Sequence, residues 1–268
     1  SPDFGVNGAI DRFGQIKPQV LMACDGYFYA GKKIDRMPIV ADLVANLPSV
    51  ESVLILPYLN DTPDCDKIPN AILFETALVT ATPVKSFTRI GFNDPLYILY
   101  SSGTTGAPKC IVHGTGGTLI QHIKEHRLHG NLLCGDAMFY FTTCGWMMWN
   151  WMVSALAVNA KLVLFEGNPF YPGPERLWEL AELEQIAVFG TSAKYIDAVA
   201  QSGYTPQDMV CLDSLRSLLS TGSPLSPDSF AFVYDKIKRD VQLSSISGGT
   251  DIVSCFVLGC PVQPVFAG

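Results

Sequence analysis

Short apolar runs alternate with helical patterns along the chain, and this alternation limits the possible folds more than any other feature of the sequence. The apolar runs predict strands at 20–23, 53–56, 96–100, 137–141, 162–165, 187–189, 217–220 and 241–244. Helical patterns between them predict helices at 38–47, 118–129, 146–159, 175–185, 193–201 and 227–238. Continuous apolar strands separated by helices are typical of parallel sheets that are covered on both sides. The sequence therefore predicts an α/β fold with mostly parallel sheets and helices on both faces.

The chain of 268 residues is long enough for one large domain or for two closely packed subdomains. Residues 60–69 contain three aspartates and two prolines, so they predict a loop that either separates two lobes or connects two elements of one lobe. The alternating segment 27–33 predicts a hairpin around Ala30 and Gly31. The 23 glycines and 18 prolines interrupt the chain too often for an all-helical fold.

Composition and charge exclude several classes of protein. A net charge of −7 argues against nucleic acid as the main partner, because phosphate backbones attract basic surfaces. The eight cysteines contain no C-x-x-C pair, which argues against a zinc ribbon and is typical of core cysteines in a reducing compartment such as the cytoplasm. The most apolar stretch, 146–158, is shorter than the ~18 residues of a membrane span and is interrupted by Asn150 and Ser154. We interpret it as a buried helix.

The stretch YSSGTTGAPK, residues 100–109, follows a predicted strand at its carboxyl end, where α/β sheets place their ligands. Gly103 and Gly106 allow successive backbone N–H groups to converge on an anion, and Lys109 adds a mobile positive charge. Further donors are the hydroxyl groups of Ser101, Ser102, Thr104 and Thr105. The loop therefore predicts a phosphate site, with a flexible turn as the simpler alternative.

Other nucleotide-binding motifs do not fit this region. The kinase and GTPase loop G-x-x-x-x-G-K-[ST] fails, because Pro108 stands at the second glycine and Cys110 follows the lysine. The dinucleotide motif fails as well, because Leu119 replaces its third glycine.

The segment HIKEH, residues 122–126, matches the H-x-x-E-H pattern of some zinc peptidases. We interpret it as a solvated polar helix face, with a zinc site at His122 and His126 as the alternative.

YSSGTTGAPK matches all ten positions of the phosphate-loop signature [YF]-[ST]-S-G-[ST]-[ST]-G-x-P-K, and the sequence resembles the adenylate-forming superfamily of acyl-CoA synthetases, luciferases and peptide-synthetase adenylation domains. Further blocks follow in the order of that family. FTTCGWMMWN at 141–150 resembles the acyl-pocket block, STGSPL at 220–225 the loop beside adenine, and SGGTD at 247–251 the block that contacts the α-phosphate and magnesium. Segments along the whole chain, among them GTLIQHIKEHRLHGN, are most similar to the acetoacetate-activating members.

The resemblance implies a role for each matching residue. Lys109, Thr250 and Asp251 would be catalytic, with Asp251 as the Mg²⁺ ligand. The implied ATP-binding residues are Ser101, Ser102, Gly103, Thr104, Thr105, Gly106, Lys109, Gly222, Ser223, Pro224, Gly249 and Thr250.

Two residues bear on the acid and the metal. Gly248 stands where acetate-activating members have a tryptophan, so the resemblance implies a pocket for a longer acid. Trp146 would be another wall of that pocket or, alternatively, a core aromatic residue. Asp251 replaces the glutamate of most members but keeps a hard oxygen ligand.

The implied substrates are acetoacetate, ATP and coenzyme A, with Mg²⁺. The sequence lacks the family's ribose-binding block and its carboxyl-terminal domain with the adenylation lysine. We therefore expect a central part of the enzyme's large domain that needs the carboxyl-terminal domain and is inactive alone. A non-catalytic nucleotide-binding module, or a synthetase for another short-to-medium-chain acid, remains the alternative.

Overall fold

The computed structural model describes residues 4–101 and 106–267. The elements up to residue 114 are α1 (Val6–Ile16), β1 (Val20–Cys24), β2 (Gly26–Tyr29), β3 (Lys32–Asp35), α2 (Met37–Asn46), β4 (Ser52–Leu56), β5 (Ala71–Leu73), α3 (Phe74–Thr80), β6 (Pro95–Tyr100) and β7 (Cys110–Gly114). There follow α4 (Thr115–Lys124) with a π-helical turn (Glu125–His129), β8 (Ala137–Tyr140), α5 (Met147–Ser154) with a 3₁₀ turn (Ala155–Val158), β9 (Lys161–Val163), α6 (Arg176–Leu183), β10 (Ile186–Ser192), α7 (Ala193–Ser202), α8 (Pro206–Met209), β11 (Ser217–Thr221), α9 (Pro227–Phe232) with a π-helical turn (Val233–Ile237), β12 (Gln242–Ser245), β13 (Ser247–Gly249) and β14 (Ser254–Val257). All eight predicted strands and all six predicted helices are confirmed, with small shifts of their ends.

The chain divides into two compact units. The first unit comprises Ser1–Gly91 and Ile98–Val112, and the second comprises Phe92–Tyr97 and His113–Gly268. Residues 60–69, which the sequence offered as a separating loop, lie inside the first unit. The paired strands β6 and β7 each contribute residues to both units.

The sheet of the second unit has five parallel strands in the order β12-β11-β10-β8-β9. Successive side chains of each strand point to opposite faces. Phe139 and Phe189 pack into a core cluster with Trp178 of α6, while Met138 packs with Trp151 of α5 on the other face. Burial of each such side chain contributes about 1.5–3 kcal/mol. The predicted parallel sheet with helices on both faces is therefore confirmed in this unit.

The sheet of the first unit is smaller, with three parallel strands in the order β1-β4-β5. Leu21 and Val53 are buried against Val40 of α2. The alternate residues Val20 and Met22 are 55% and 54% exposed. Helix α2 thus packs on the side of the sheet that carries Leu21 and Val53, and α3 contacts β4 and β5.

The predicted hairpin is also confirmed. Strands β2 and β3 pair antiparallel, and Ala30 and Gly31 both have positive φ, at 48° and 77°. Two positive φ angles match the right-handed twist of the flanking strands in a two-residue turn.

The apolar stretch 146–158 forms α5 and its 3₁₀ turn, with Trp151 and Met152 buried in the core. Within the described ranges, we find no helix that is both long and apolar enough to cross a membrane.

Candidate functional site

The two ends of the predicted phosphate loop pair with each other in the first unit. The backbone N–H of Ser101 donates to the carbonyl oxygen of Lys109 at 3.0 Å. The N–H of Lys109 donates to Oγ of Ser101 at 3.1 Å. This pairing makes Lys109 the first residue after the loop and leaves its side chain exposed. Gly106 is exposed as well, whereas Ser102, Gly103, Thr104 and Thr105 lie outside the described residues.

Helix α1 supports the same loop, which the sequence did not reveal. Nε2 of Gln15 donates to the carbonyl oxygen of Pro108 at 2.8 Å, and Sγ of Cys110 lies 3.5 Å from Oε1 of Gln15. One amide side chain thus holds the residues on both sides of Lys109. Nearby, burial raises the pKa of Tyr100 to about 12, so its phenol stays protonated at neutral pH.

Three predicted blocks follow strands of the five-stranded sheet in the second unit. Residues 141–146 follow β8, residues 222–224 follow β11, and the block 247–251 follows β12. Because these strands are parallel, their carboxyl ends lie at one edge of the sheet, where open α/β sheets bind ligands. The structure therefore places the implied adenine, phosphate and acyl-pocket residues of this unit at the same edge.

Two hydrogen bonds join the implied adenine loop to the segment before the phosphate block. Oγ1 of Thr221 donates to the carbonyl oxygen of Ile246 at 3.2 Å, and the N–H of Leu225 donates to Oγ of Ser245 at 3.2 Å. Gly222 between them has φ 89°, a backbone conformation that favours glycine. Gly222, Ser223 and Pro224 are exposed.

The two predicted acyl-pocket residues lie in different surroundings. Trp146 precedes α5 and is 68% exposed, so its interpretation as a core aromatic is wrong. Gly248 lies in β13, which pairs with β14. A Cβ atom on Gly248 would lie 2.3 Å from the carbonyl oxygen of Ser254 and 2.8 Å from Cα of Cys255. Close approach of two backbones is thus a second physical reason for glycine here, and the pocket at Gly248 stays a prediction.

Asp251 supplies one exposed carboxylate beside Thr250, after β13. Magnesium is commonly held by one or two carboxylates together with substrate phosphates rather than by a closed protein cage. A single exposed carboxylate is thus compatible with the magnesium site that the resemblance implies. Across residues 4–101 and 106–267, no group of three or more His, Cys, Asp or Glu side chains could hold a metal by itself.

The segment HIKEH does not form a solvated helix face. His122, Glu125 and His126 are 0%, 1% and 1% exposed, so that prediction is wrong for all three. The physical reason is that this side of α4 faces polar partners from distant parts of the chain instead of water. The three side chains form hydrogen bonds with Trp151 and Ser154 of α5 and with Ser254 of β14.

The two histidines form a chain of hydrogen bonds. Nε2 of His122 donates to the carbonyl oxygen of Val253 at 2.5 Å, and Nδ1 of His122 lies 2.9 Å from Oγ of Ser154. Nε2 of His126 lies 2.9 Å both from that Oγ and from the carbonyl oxygen of Trp151. Burial lowers the pKa of His122 and lowers that of His126 to about 3. Three of the four ring nitrogens are thus engaged, and the described residues offer no third ligand beside them, so this geometry does not support the peptidase alternative.

The family described as AMP-binding enzyme has a sequence model that matches residues 12–265. The chain is 54% identical over 271 residues to the acetoacetyl-coenzyme A synthetase of Rhizobium meliloti, covering 100% of this chain and 41% of that one. It is 38% identical to the malonamoyl-CoA synthetase of Penicillium aethiopicum, covering 100% of this chain and 40% of that one. The solved acetoacetyl-CoA synthetase from Streptomyces lividans superposes with a TM-score of 0.93 at 41% identity, covering 100% of this chain and 41% of that one. The chain thus spans about two fifths of the length of these relatives.

Proposed function

The chain belongs to the AMP-binding enzyme family, and on this premise we propose that the protein activates acetoacetate with ATP and transfers the acyl group to coenzyme A. The main support is the 54% identity to an acetoacetyl-coenzyme A synthetase over the full chain. The geometry agrees with it, because the implied adenine, phosphate and acyl blocks of the second unit follow strands at one sheet edge.

The reaction has two steps. A carboxylate oxygen of acetoacetate attacks the α-phosphorus of ATP, and the bond from that phosphorus to the leaving pyrophosphate breaks. The sulfur of coenzyme A then attacks the acyl carbon, loses its proton and displaces AMP. Both reactants of the first step are anions, so their charges must be offset before they meet.

Each implied residue has a task in that first step. Lys109, at the base of the loop, offsets charge on the β- and γ-phosphates and on the departing pyrophosphate. Thr250 would donate a hydrogen bond to the α-phosphate, and Asp251 would hold Mg²⁺. Magnesium supplies further charge neutralisation at the phosphates. Donors aimed at developing charge typically contribute about 3–4 kcal/mol each to transition-state stabilisation.

We propose carboxylic acids with a carbonyl group at the β-carbon as the substrate class. The two relatives differ in the acid that their names give, acetoacetic or malonamic acid. These acids share the β-carbonyl and differ only by a methyl or an amino group beside it. A site that hydrogen-bonds a substrate carbonyl discriminates strongly against an analogue without it, because its own polar group is then left unpaired. Butyrate, which has the length of acetoacetate without the carbonyl, is the matched control.

The test measures AMP release by the protein of the complete reading frame with Mg²⁺, ATP, coenzyme A and one acid at a time. We expect the highest kcat/KM with acetoacetate and at least a tenfold lower value with butyrate. A preference for butyrate would identify a synthetase for another short-to-medium-chain acid. ATP binding without release of AMP for any acid would identify a non-catalytic nucleotide-binding module.

We propose further that the 268 residues alone do not complete the reaction, because relatives with the full activity in their names are much longer than this chain, which spans 41% of their length. Acid-dependent ATP–pyrophosphate exchange by the isolated chain would contradict this. The spacing of the eight cysteines, without C-x-x-C pairs, supports the cytoplasm as the compartment of the reaction.

A further inference from the structure

Side chains from one continuous segment, β7 through α4 to its π-helical turn, hold the turn that carries Thr250 and Asp251. At the start of this turn, Nε2 of His113 donates to the carbonyl oxygen of Thr250 at 2.8 Å. Further along, Nε2 of His122 donates to the carbonyl oxygen of Val253 at 2.5 Å. We call residues 250–255 the anchored turn.

Glu125 holds the end of the anchored turn. Its Oε1 accepts from Oγ of Ser254 at 2.6 Å, from the N–H of Cys255 at 3.0 Å and from Nε2 of Gln121 at 3.2 Å. Its Oε2 accepts from Nε1 of Trp151 at 2.8 Å. Oε1 thus accepts hydrogen bonds from the anchored turn, whereas Oε2 accepts one from the core residue Trp151.

A buried carboxylate is costly unless hydrogen-bond donors surround it. Glu125 is 1% exposed, and the four donors supply this compensation. It also begins a π-helical turn, an irregularity that is frequent at functional sites. An apolar residue would suffice if this position only filled the core.

The backbone of the anchored turn is itself strained. Val253 has φ 49°, and a β-branched residue rarely adopts this conformation. Such a residue persists where the surrounding contacts determine its conformation. Its carbonyl oxygen is held by His122 and its successor Ser254 is held by Glu125, so these side chains fix the strained residue and the residue after it.

We infer that Glu125 is a positioning residue for ATP binding, which acts by fixing the backbone that carries Thr250 and Asp251. The inference rests on the proposed function, because those two residues are there assigned to the α-phosphate and to Mg²⁺. Groups that orient the direct ligands of a metal commonly contribute 10- to 100-fold to affinity or activity.

The test measures the dissociation constant of Mg·ATP without acid, on the protein of the complete reading frame and well below its unfolding temperature. Glu125→Ala removes both sets of hydrogen bonds and is expected to weaken Mg·ATP binding at least tenfold. Glu125→Gln keeps an amide oxygen for Ser254 and Cys255 but places its amide N–H2 against the N–H donor of Trp151. The core hydrogen bond is then lost, whereas Mg·ATP binding is expected to stay within threefold of wild type.

Trp151→Phe is the matched control, because it removes the other end of that same core hydrogen bond. We expect a lower unfolding temperature and Mg·ATP binding within threefold of wild type. If Glu125→Ala fails to fold, Ser254→Ala replaces it, since this variant removes one donor from the turn and leaves the carboxylate in place. A weakening of threefold to tenfold is then expected.

Unchanged binding in Glu125→Ala, or in Ser254→Ala where the former does not fold, overturns the inference and leaves the proposed function intact. Equal weakening in Trp151→Phe also overturns it, because general loosening of the core would explain both. A wild-type protein that binds Mg·ATP but releases no AMP with acetoacetate refutes the proposed substrate, while the affinities still decide the role of Glu125. A wild-type protein that does not bind Mg·ATP refutes both.

Discussion

The strand pair β6–β7 and the anchored turn are both assigned to ATP, but they differ in how much of each can be recognised from the local sequence. The first carries its signal in ten consecutive residues, and its described loop residues Gly106 and Lys109 are exposed. The second contains only the last two residues of the short block SGGTD, and side chains 129 to 137 residues earlier in the chain hold it by hydrogen bonds. A phosphate loop can therefore be read from local sequence, whereas the support of the anchored turn depends on distant contacts.

The largest effect is expected where the side chain itself meets the phosphates. Lys109→Met should lower the rate of adenylate formation by about 10²–10³-fold, because a charge aimed at the leaving pyrophosphate is lost. Lys67→Met, at another exposed lysine of the first unit, is the control. The rate of acid-dependent ATP–pyrophosphate exchange measures this effect. A loss below threefold in Lys109→Met would contradict the assignment of Lys109 to the phosphates.

The next prediction separates the two explanations of Gly248 beside the anchored turn. Gly248→Ala places a Cβ atom 2.3 Å from the carbonyl oxygen of Ser254, so the free energy of unfolding should fall by roughly 1–3 kcal/mol. Gly249→Ala, whose Cβ would have no neighbour within 4 Å, should destabilise the protein less.

If close backbone approach is the main reason for glycine, kcat/KM of Gly248→Ala should fall by the same factor for acetoacetate and for acetate. A shift of their ratio towards acetate would show instead that the volume of the pocket decides. Urea unfolding and steady-state kinetics provide the two measurements.

A third prediction uses pH to weaken the core beside the anchored turn. Burial depresses the pKa of His126 from 6.5 to about 3, so the folded protein binds its proton less readily than the unfolded chain. The contribution of His126 to the free energy of unfolding is therefore complete above about pH 6.5. It is lost progressively as the pH falls towards 3. Between pH 6.5 and 5 the loss should be roughly 2 kcal/mol.

Urea unfolding at several pH values measures this loss in wild type and in two variants. His126→Gln retains a side-chain N–H donor but does not titrate, so much of the pH dependence should disappear. His129→Gln, on the same π-helical turn and only partly buried, should retain it. Identical pH profiles of wild type and His126→Gln would contradict the prediction.

The smallest effect is expected at the metal ligand. Asp251→Asn removes the charge that attracts Mg²⁺ and should raise the magnesium concentration for half-maximal activity about tenfold. Asp251→Glu restores the carboxylate and should stay closer to wild type. An unchanged magnesium requirement in Asp251→Asn would mean that another group holds the ion.

The strands and helices were largely predictable, because their apolar periodicity is local. The described structure also contains strands that this pattern did not reveal, among them β5, β13 and β14, which have three or four residues each. Helix α1 was missed because the glycines at 5, 8 and 14 obscure its pattern. Such elements depend on pairing and packing with distant residues, which a local pattern does not contain.

In the candidate site, the sequence indicated the residues that lie in matching blocks but not the contacts that support them. Lys109, Gly222, Thr250 and Asp251 were found from matching blocks, and their roles stay predictions. His122, Glu125 and His126 were assigned to a solvated face because charged and polar residues on a helix usually face water. Their burial follows from Ser154, Trp151 and Ser254, whose positions the sequence of α4 does not disclose. A glutamate and two histidines on one helix side was the only available signal.

The central claim is that this protein forms an acyl-adenylate from acetoacetate, and a single turnover without coenzyme A tests it most directly. Protein of the complete reading frame is mixed with Mg·ATP and acetoacetate, and the quenched products are analysed by mass spectrometry. We predict acetoacetyl-adenylate and pyrophosphate in equal amounts, both dependent on acetoacetate. Formation of ADP and phosphate, or pyrophosphate release that does not depend on the acid, would contradict the account.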